Sequence, residues 1–267
     1  MKRSYLTVLT VGALCFLFQS AQAALLFSEA FNYTPAALQS QVNPSTAVWT
    51  GGNSGLTIVS GNLTYAGLAD QGGNELQIAN GSSGSSEIQF ANQTSGQIYY
   101  SFLFDPTAVD SANNYFTAMN PGTATPNGSS DAIDAYYYAA GKIEVRGAAQ
   151  SATAGTGTAL SLNTTHLIVE EIDLTAKTAS LWVDPDSSTF GGTAPTATAS
   201  LSGLTATAID DVGVKAQSAA GGPYLVDNLL IGTTWADVTP SAVPEPATLA
   251  LAGLGIISLV FARRMRR

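Results

Sequence analysis

Cysteine and histidine are nearly absent: the 267 residues include one of each, Cys15 and His166. An internal disulfide framework is excluded, as are zinc sites built from thiolates and imidazoles, for want of ligands. A Ser-His-Asp triad would need His166, and no Gly-x-Ser-x-Gly elbow accompanies it. His166 opens a strand-like run and is expected at the surface or a sheet edge. Charge is also scarce, at 11% of residues, against about a quarter in an ordinary soluble chain. Bases are the scarcest part of it. Between residues 24 and 243 only Lys142, Arg146, Lys177 and Lys215 stand against eighteen acids, a formal charge of −14. Such a surface repels phosphate backbones and anionic lipid heads, which excludes nucleic acid as a partner. Divalent cations and neutral polymers remain.

The two ends carry the long apolar runs. Met1, Lys2 and Arg3 precede an apolar stretch from Thr7 to Phe18, and Ala21 and Ala23 supply the small residues that a signal peptidase reads. The pattern predicts a signal peptide over 1–23, cut after Ala23; cleavage would remove Cys15. At the other end Val243, Pro244, Glu245 and Pro246 are followed by an apolar stretch, Ala247 to Ala262. Arg263, Arg264, Arg266 and Arg267 close the chain. A proline brake, a marginal membrane helix and a basic stop predict a C-terminal transmembrane segment with a cytoplasmic end.

This C-terminal order resembles the PEP-CTERM sorting signal of Gram-negative bacteria. The resemblance implies processing by an exosortase, a membrane cysteine protease that cuts near Pro-Glu-Pro and passes the body to the cell surface or the exopolysaccharide matrix. It gives an address, not a chemistry.

The body shows no helical periodicity. Short runs rich in Val, Ile, Tyr, Phe and Thr alternate with Gly, Asn, Asp and Pro, which predicts an all-β chain. Expected strands include Leu25 to Phe31, Leu63 to Tyr65, Gln97 to Phe104, Leu167 to Ile172, Ala179 to Asp184 and Leu225 to Ile231. Ala139 to Lys142 and Thr175 to Lys177 read as hairpin turns. Gln150 to Thr158 and Asp186 to Ser200 read as surface loops. About a dozen such strands suggest a two-sheet antiparallel jelly-roll sandwich over 24–240, followed by the sorting segment 241–267. Phe27 to Tyr33, Leu181 to Pro185 and Val226 to Val238 resemble bodies that precede PEP-CTERM tags, similar to the concanavalin A-like lectin/glucanase and laminin G sandwich. That resemblance implies paired first and last strands and a concave sheet face that in relatives holds sugars. The fold hosts lectins, glycosidases and adhesion modules alike.

Four sets of residues are candidates for chemistry. Glu171 and Asp173 match the first two positions of the Glu, apolar, Asp, apolar, Glu strand pattern of laminarinase-type glycosidases. The third position is Thr175, which cannot serve as the acid/base; solvated acids at a strand end are the plainer reading of Glu170 and Glu171. Asp184, Asp186, Asp227 and Asn228 are oxygen-bearing strand ends suited to Ca²⁺, although none follows an EF-hand spacing. Tyr136, Tyr137, Tyr138 and Trp182 are candidate carbohydrate-binding aromatics, with burial in the core as the competing fate. Val243 to Pro246 and the terminal arginines are the sorting signal. The leading expectation is a non-catalytic, exosortase-processed surface or matrix protein acting by adhesion or exopolysaccharide association. The rivals are a glycan hydrolase using Glu171 and Asp173, and an envelope protein with no specific ligand.

Overall fold

A computed structural model describes residues 25–242 except 53, 80, 110–113, 123–130, 138–139, 148–152, 156–158 and 218–222. Ala21, Ala23, Tyr138, Val243, Pro244, Glu245, Pro246, Arg263, Arg264, Arg266 and Arg267 lie outside the described residues. Among the described residues no helix is long and apolar enough to cross a membrane.

The strands are β1 (Leu25–Glu29), β2 (Thr50–Gly51), β3 (Leu56–Val59), β4 (Glu75–Ile78), β5 (Ser85–Gln93), β6 (Gln97–Pro106), β7 (Asn114–Asn120) and β8 (Ile133–Tyr137). They continue as β9 (Ile143–Gly147), β10 (Thr153–Gly155), β11 (His166–Asp173), β12 (Thr178–Val183), β13 (Ala199–Ser202), β14 (Ile209–Lys215) and β15 (Tyr224–Gly232). They form two antiparallel sheets. The eight-stranded sheet runs β13-β12-β11-β6-β15-β4-β3, with β1 also on β15; the seven-stranded sheet runs β10-β9-β8-β7-β14-β5-β2. The first and last strands pair, Phe27 opposite Ile231 and Glu29 opposite Leu229. The hairpins β8–β9 and β11–β12 are present. Two expectations are corrected. The 150–158 and 186–200 segments contain β10 and the start of β13, and Leu63 to Tyr65 forms no strand.

Alternation sorts the side chains. On β6, Ile98, Tyr100, Phe102 and Phe104 enter the core between the sheets, while Tyr99 and Leu103 enter a second apolar cluster on the outer face of the eight-stranded sheet. A strand covered on both faces reads as a continuous apolar run, which is what Ile98 to Phe104 shows. The outer cluster is roofed by Leu63, Leu68, Phe190, Trp235 and Val238. Trp235 and Val238 belong to a single helical turn, α1 (Trp235–Val238), started by a reciprocal capping box between Thr234 and Asp237. Beyond α1 the chain is strapped to the same roof. Gly191 N donates to Thr239 O at 2.7 Å, Ala69 N to Pro240 O at 2.7 Å and Ala242 N to Gly67 O at 2.9 Å, with Ser241 bridged to Leu68.

Candidate functional site: a polar cleft over the eight-stranded sheet

The loops that roof the outer cluster leave a cleft of about 450 Å³ lined by Tyr65, Thr64, Thr165, Asp184, Asp186 and Ser187. Asp184 follows the last residue of β12 in a left-handed conformation, φ 49°, which turns its carboxylate back onto β11. Its Oδ1 accepts from Leu167 N at 3.0 Å and its Oδ2 lies 2.7 Å from His166 Nδ1. Tyr65 faces Asp184 across the cleft, and burial, followed by the charge of Asp184, pushes the phenol up to about 12. Its ring packs 6.2 Å from Phe190. Asp186 is exposed and caps the next turn by accepting from Ser188 N at 2.8 Å, which holds its carboxyl below the usual range. Gly67, at φ 85°, allows the two loops to touch: a Cβ there would sit 2.7 Å from Ser187 Cβ.

His166 is corrected from surface residue to buried latch, at 6% exposure. Its Nε2 lies 3.0 Å from Ser161 O and its Nδ1 faces Asp184. Both partners are acceptors, so only the protonated ring donates to both, and the pair favours that form. Burial opposes the charged ring, but the bonds to Asp184 and Ser161 outweigh it and raise the pKa.

The four calcium candidates divide between two places. Asp227 and Asn228 lie on β15, separated by β6 and β11 from the β12 end that carries Asp184. Asp227 is buried; its carboxylate accepts from Leu63 N at 3.0 Å and Asn228 N at 2.7 Å, and it anchors the bulge there. Burial pushes Asp227 up to about 8. Among the described residues no group of three or more His, Cys, Asp or Glu side chains is arranged to hold a metal ion.

The aromatic candidates are also redistributed. Tyr137 is fully buried in the inter-sheet core against Phe104 and Tyr224. Trp182 is buried in the outer cluster, edge-on to Trp235, with its Nε1 donating to Pro195 O at 2.9 Å. Neither offers a face to a sugar. Tyr136 is half-buried on the side of the seven-stranded sheet away from the core, stacked on Tyr115, with the Arg146 guanidinium 4.3 Å from its ring centre. Sequence reasoning missed Tyr65. The available signal was an aromatic beside Gly67 in a stretch whose apolar residues looked like a strand.

The carboxylates of β11 are corrected too. Glu170 is fully buried, between Tyr100 and Leu181 in register, and burial pushes it up to about 8. Glu171 points to the other face, near Ser180 and Gln97. Asp173 Oδ1 accepts from Thr175 N at 2.8 Å and Ala176 N at 2.7 Å, closing the hairpin. Thr175 Oγ1 itself accepts from Gly96 N at 3.0 Å. These groups close a turn at the far end of β11 from the cleft.

The PEP-CTERM protein-sorting motif matches residues 242–267. No curated protein matches the chain. Among solved structures it is similar to lectin II from Ulex europaeus, at 11% identity and TM-score 0.45, covering 79% of this chain and 98% of that one. It is also similar to a Trypanosoma rangeli sialidase mutant displaying trans-sialidase activity, at 13% identity and TM-score 0.44, covering 74% of this chain. The chain spans 30% of that sialidase's length.

Proposed function

With a sorting motif that marks the chain as an exosortase substrate, we propose that the exported body associates with exopolysaccharide through the Tyr65 cleft without hydrolysing it. The observation that carries this reading is the composition of the cleft. A partly exposed aromatic ring stands among the hydroxyls of Thr64, Thr165 and Ser187 and the exposed carboxylate of Asp186. Sugars present an apolar ring face and a rim of hydroxyls, which such a mixture accommodates. A hydrolytic role finds no support in the same geometry, because His166 meets Asp184 and the Ser161 carbonyl through its two ring nitrogens, leaving neither to a nucleophile, and Asp173 closes a turn.

Calorimetry of the purified protein against its host's exopolysaccharide, with and without Ca²⁺, tests the reading. Saturable binding is expected, weakened about tenfold by Tyr65→Ala, as for loss of an aromatic anchor. Reducing ends should not accumulate. Absence of binding, or binding that Tyr65→Ala and Asp186→Ala leave unchanged, would remove the cleft from the function.

A further inference from the structure

A second cleft lies at the end of β1. It encloses about 360 Å³ between Ser28, Asn32 and Tyr33 on one side and Val42 and Pro44 on the other, with Gln71 at its rim. That volume falls within the range of about 300–1,000 Å³ typical of small-molecule sites. The far wall is a tight hairpin: Val42 bridges Val48, Asn43 N donates to Ala47 O at 2.9 Å, and Thr46 turns the chain at φ 72°. Asn43 pins this hairpin to β1, its Nδ2 donating to Ser28 O at 2.8 Å and to Glu29 Oε2 at 2.9 Å. The near wall depends on Phe31, a fully buried aromatic held at φ 46° and stacked 6.2 Å from Trp49. A bulky residue in that backbone region is costly and persists only where its surroundings fix it, a condition that recurs at ligand clamps. Glu29 supplies the fixing here, by accepting from Phe31 N at 2.7 Å. Beyond this turn Asn32 is exposed, and Tyr33 OH folds back to donate to the same carboxylate.

The chemistry of the cleft selects its ligand. Glu29 already accepts from Phe31 N, Asn43, Trp49 and Tyr33, so a cation meets a carboxylate that is fully engaged. An anion is disfavoured by the charge of Glu29 and by the acidic body around it. What the cleft offers is the half-buried Tyr33 ring, the exposed Val42 and Pro44, and the exposed amides of Asn32 and Gln71. Each amide both donates and accepts. An apolar face beside such groups matches a neutral sugar, whose hydroxyls also do both. The two clefts also share a loop, since Tyr65 and Ala66 line the first and Gln71 the second. Tyr65 and Gln71 are six residues apart, about 20 Å at full extension. The loop is seated close on β1: a Cβ on Gly73 would lie 2.1 Å from Ala30 O.

We propose that the Tyr33 cleft is a second, neutral-sugar subsite, and that with the Tyr65 cleft it lets one strand of exopolysaccharide engage the body at two points. Linked sites of this kind tighten binding without new contacts at either one. The proposal rests on the reading of the Tyr65 cleft for the identity of the polymer, while the second site is built from other residues.

Calorimetry and methyl NMR of the full chain test it, with disaccharides released from the host's exopolysaccharide and with the intact polymer. Two disaccharides should bind per chain, and the methyl signals of Val42 and Ala66 should both move. In the double variant Asn32→Ala, Gln71→Ala, whose replaced side chains are exposed, one disaccharide should bind and Val42 should stay still. Its affinity for the polymer should fall about tenfold, a modest share of the gain that linked sites give. Tyr65→Ala should silence Ala66 and leave the Val42 response intact. A Val42 signal that the disaccharide leaves unmoved in wild type overturns the second cleft, as does a double variant that keeps both sites or its full affinity for the polymer. If Val42 responds and Tyr65→Ala changes nothing, the Tyr65 reading fails and the second cleft stands; the opposite pattern removes the second cleft alone.

Discussion

His166 and Asp184, eighteen positions apart, meet through Nδ1 and Oδ2 at 2.7 Å and join the start of β11 to the end of β12. The raised pKa of His166 means that the folded protein holds this proton more tightly than the unfolded chain. The contribution is therefore fully present below the ordinary value of 6.5 and is lost as pH rises through the folded value. Thermal melts between acid and mildly alkaline pH should show this loss, about 1 kcal/mol after allowance for the exposure of Asp184. His166→Gln should flatten that part of the profile. An NMR titration of the ring checks the direction of the shift.

Glu170 sits in the inter-sheet core with no partner for either carboxylate oxygen. Its folded pKa is raised to about 8 by burial, so it enters the core as the neutral acid. Stability from this group is present below the ordinary carboxylate range and is lost as pH climbs toward the raised value. Glu170→Leu should stabilise the protein by about 1–3 kcal/mol at alkaline pH, with a smaller gain in acid. Urea denaturation of both proteins at two pH values measures the difference. A destabilised Glu170→Leu at high pH would mean that the carboxylate has a polar role.

Glu29 gathers the N-terminal loop. It accepts from Phe31 N at 2.7 Å, Asn43 Nδ2 at 2.9 Å and Trp49 Nε1 at 2.9 Å, and from Tyr33 OH. Glu29→Ala would strand buried donors, at a cost of about 3 kcal/mol or more. The Trp49 indole would lose its acceptor, so tryptophan fluorescence during denaturation should report the change directly. Glu29→Gln, which keeps a carbonyl acceptor, should recover part of the loss.

The cleft carries its own stability control. Tyr65→Phe removes only the hydroxyl, on which the charge of Asp184 acts, so the ring and its packing on Phe190 remain. Stability should stay within about 0.5 kcal/mol of wild type, as for a change that strands no bonded partner, with polysaccharide affinity close to wild type. If Tyr65→Phe abolished binding as fully as Tyr65→Ala, the hydroxyl rather than the ring face would be the recognising group. Parallel melts and calorimetry separate the two effects.

The central strands were legible because their residues are apolar at both parities. Leu167, Ile168 and Val169 on β11 already imply cover on both faces, and the same signal should have placed Glu170 in an interior. Reading Glu170 as solvated followed the chemistry of the side chain and ignored its neighbours. Leu63 to Tyr65 imitated a strand because its residues alternate, yet Leu63 is buried as part of a roof over the outer face of the eight-stranded sheet. Asp184 and Asp186 were visible as strand-end acids. Tyr65 was not, since it reaches them through loop packing that no local spacing encodes. Tyr137 and Trp182 show the limit of alternation, which assigns a side but not what covers it.

The position of β15 constrains how this chain can be made. One edge of β15 pairs with β6, and the other is shared by β4 and β1. β4 and β6 also pair with β3 and β11, but β1 pairs with β15 alone, and the links among all three wait for Tyr224–Gly232, nearly the last part of the body to leave the ribosome. Contacts of such long sequence separation close slowly. During synthesis β1, the β3–β4 pair and β6 have no common neighbour, so the larger sheet stays incomplete until its final strand arrives. For a chain bearing an export address, that late closure keeps it threadable.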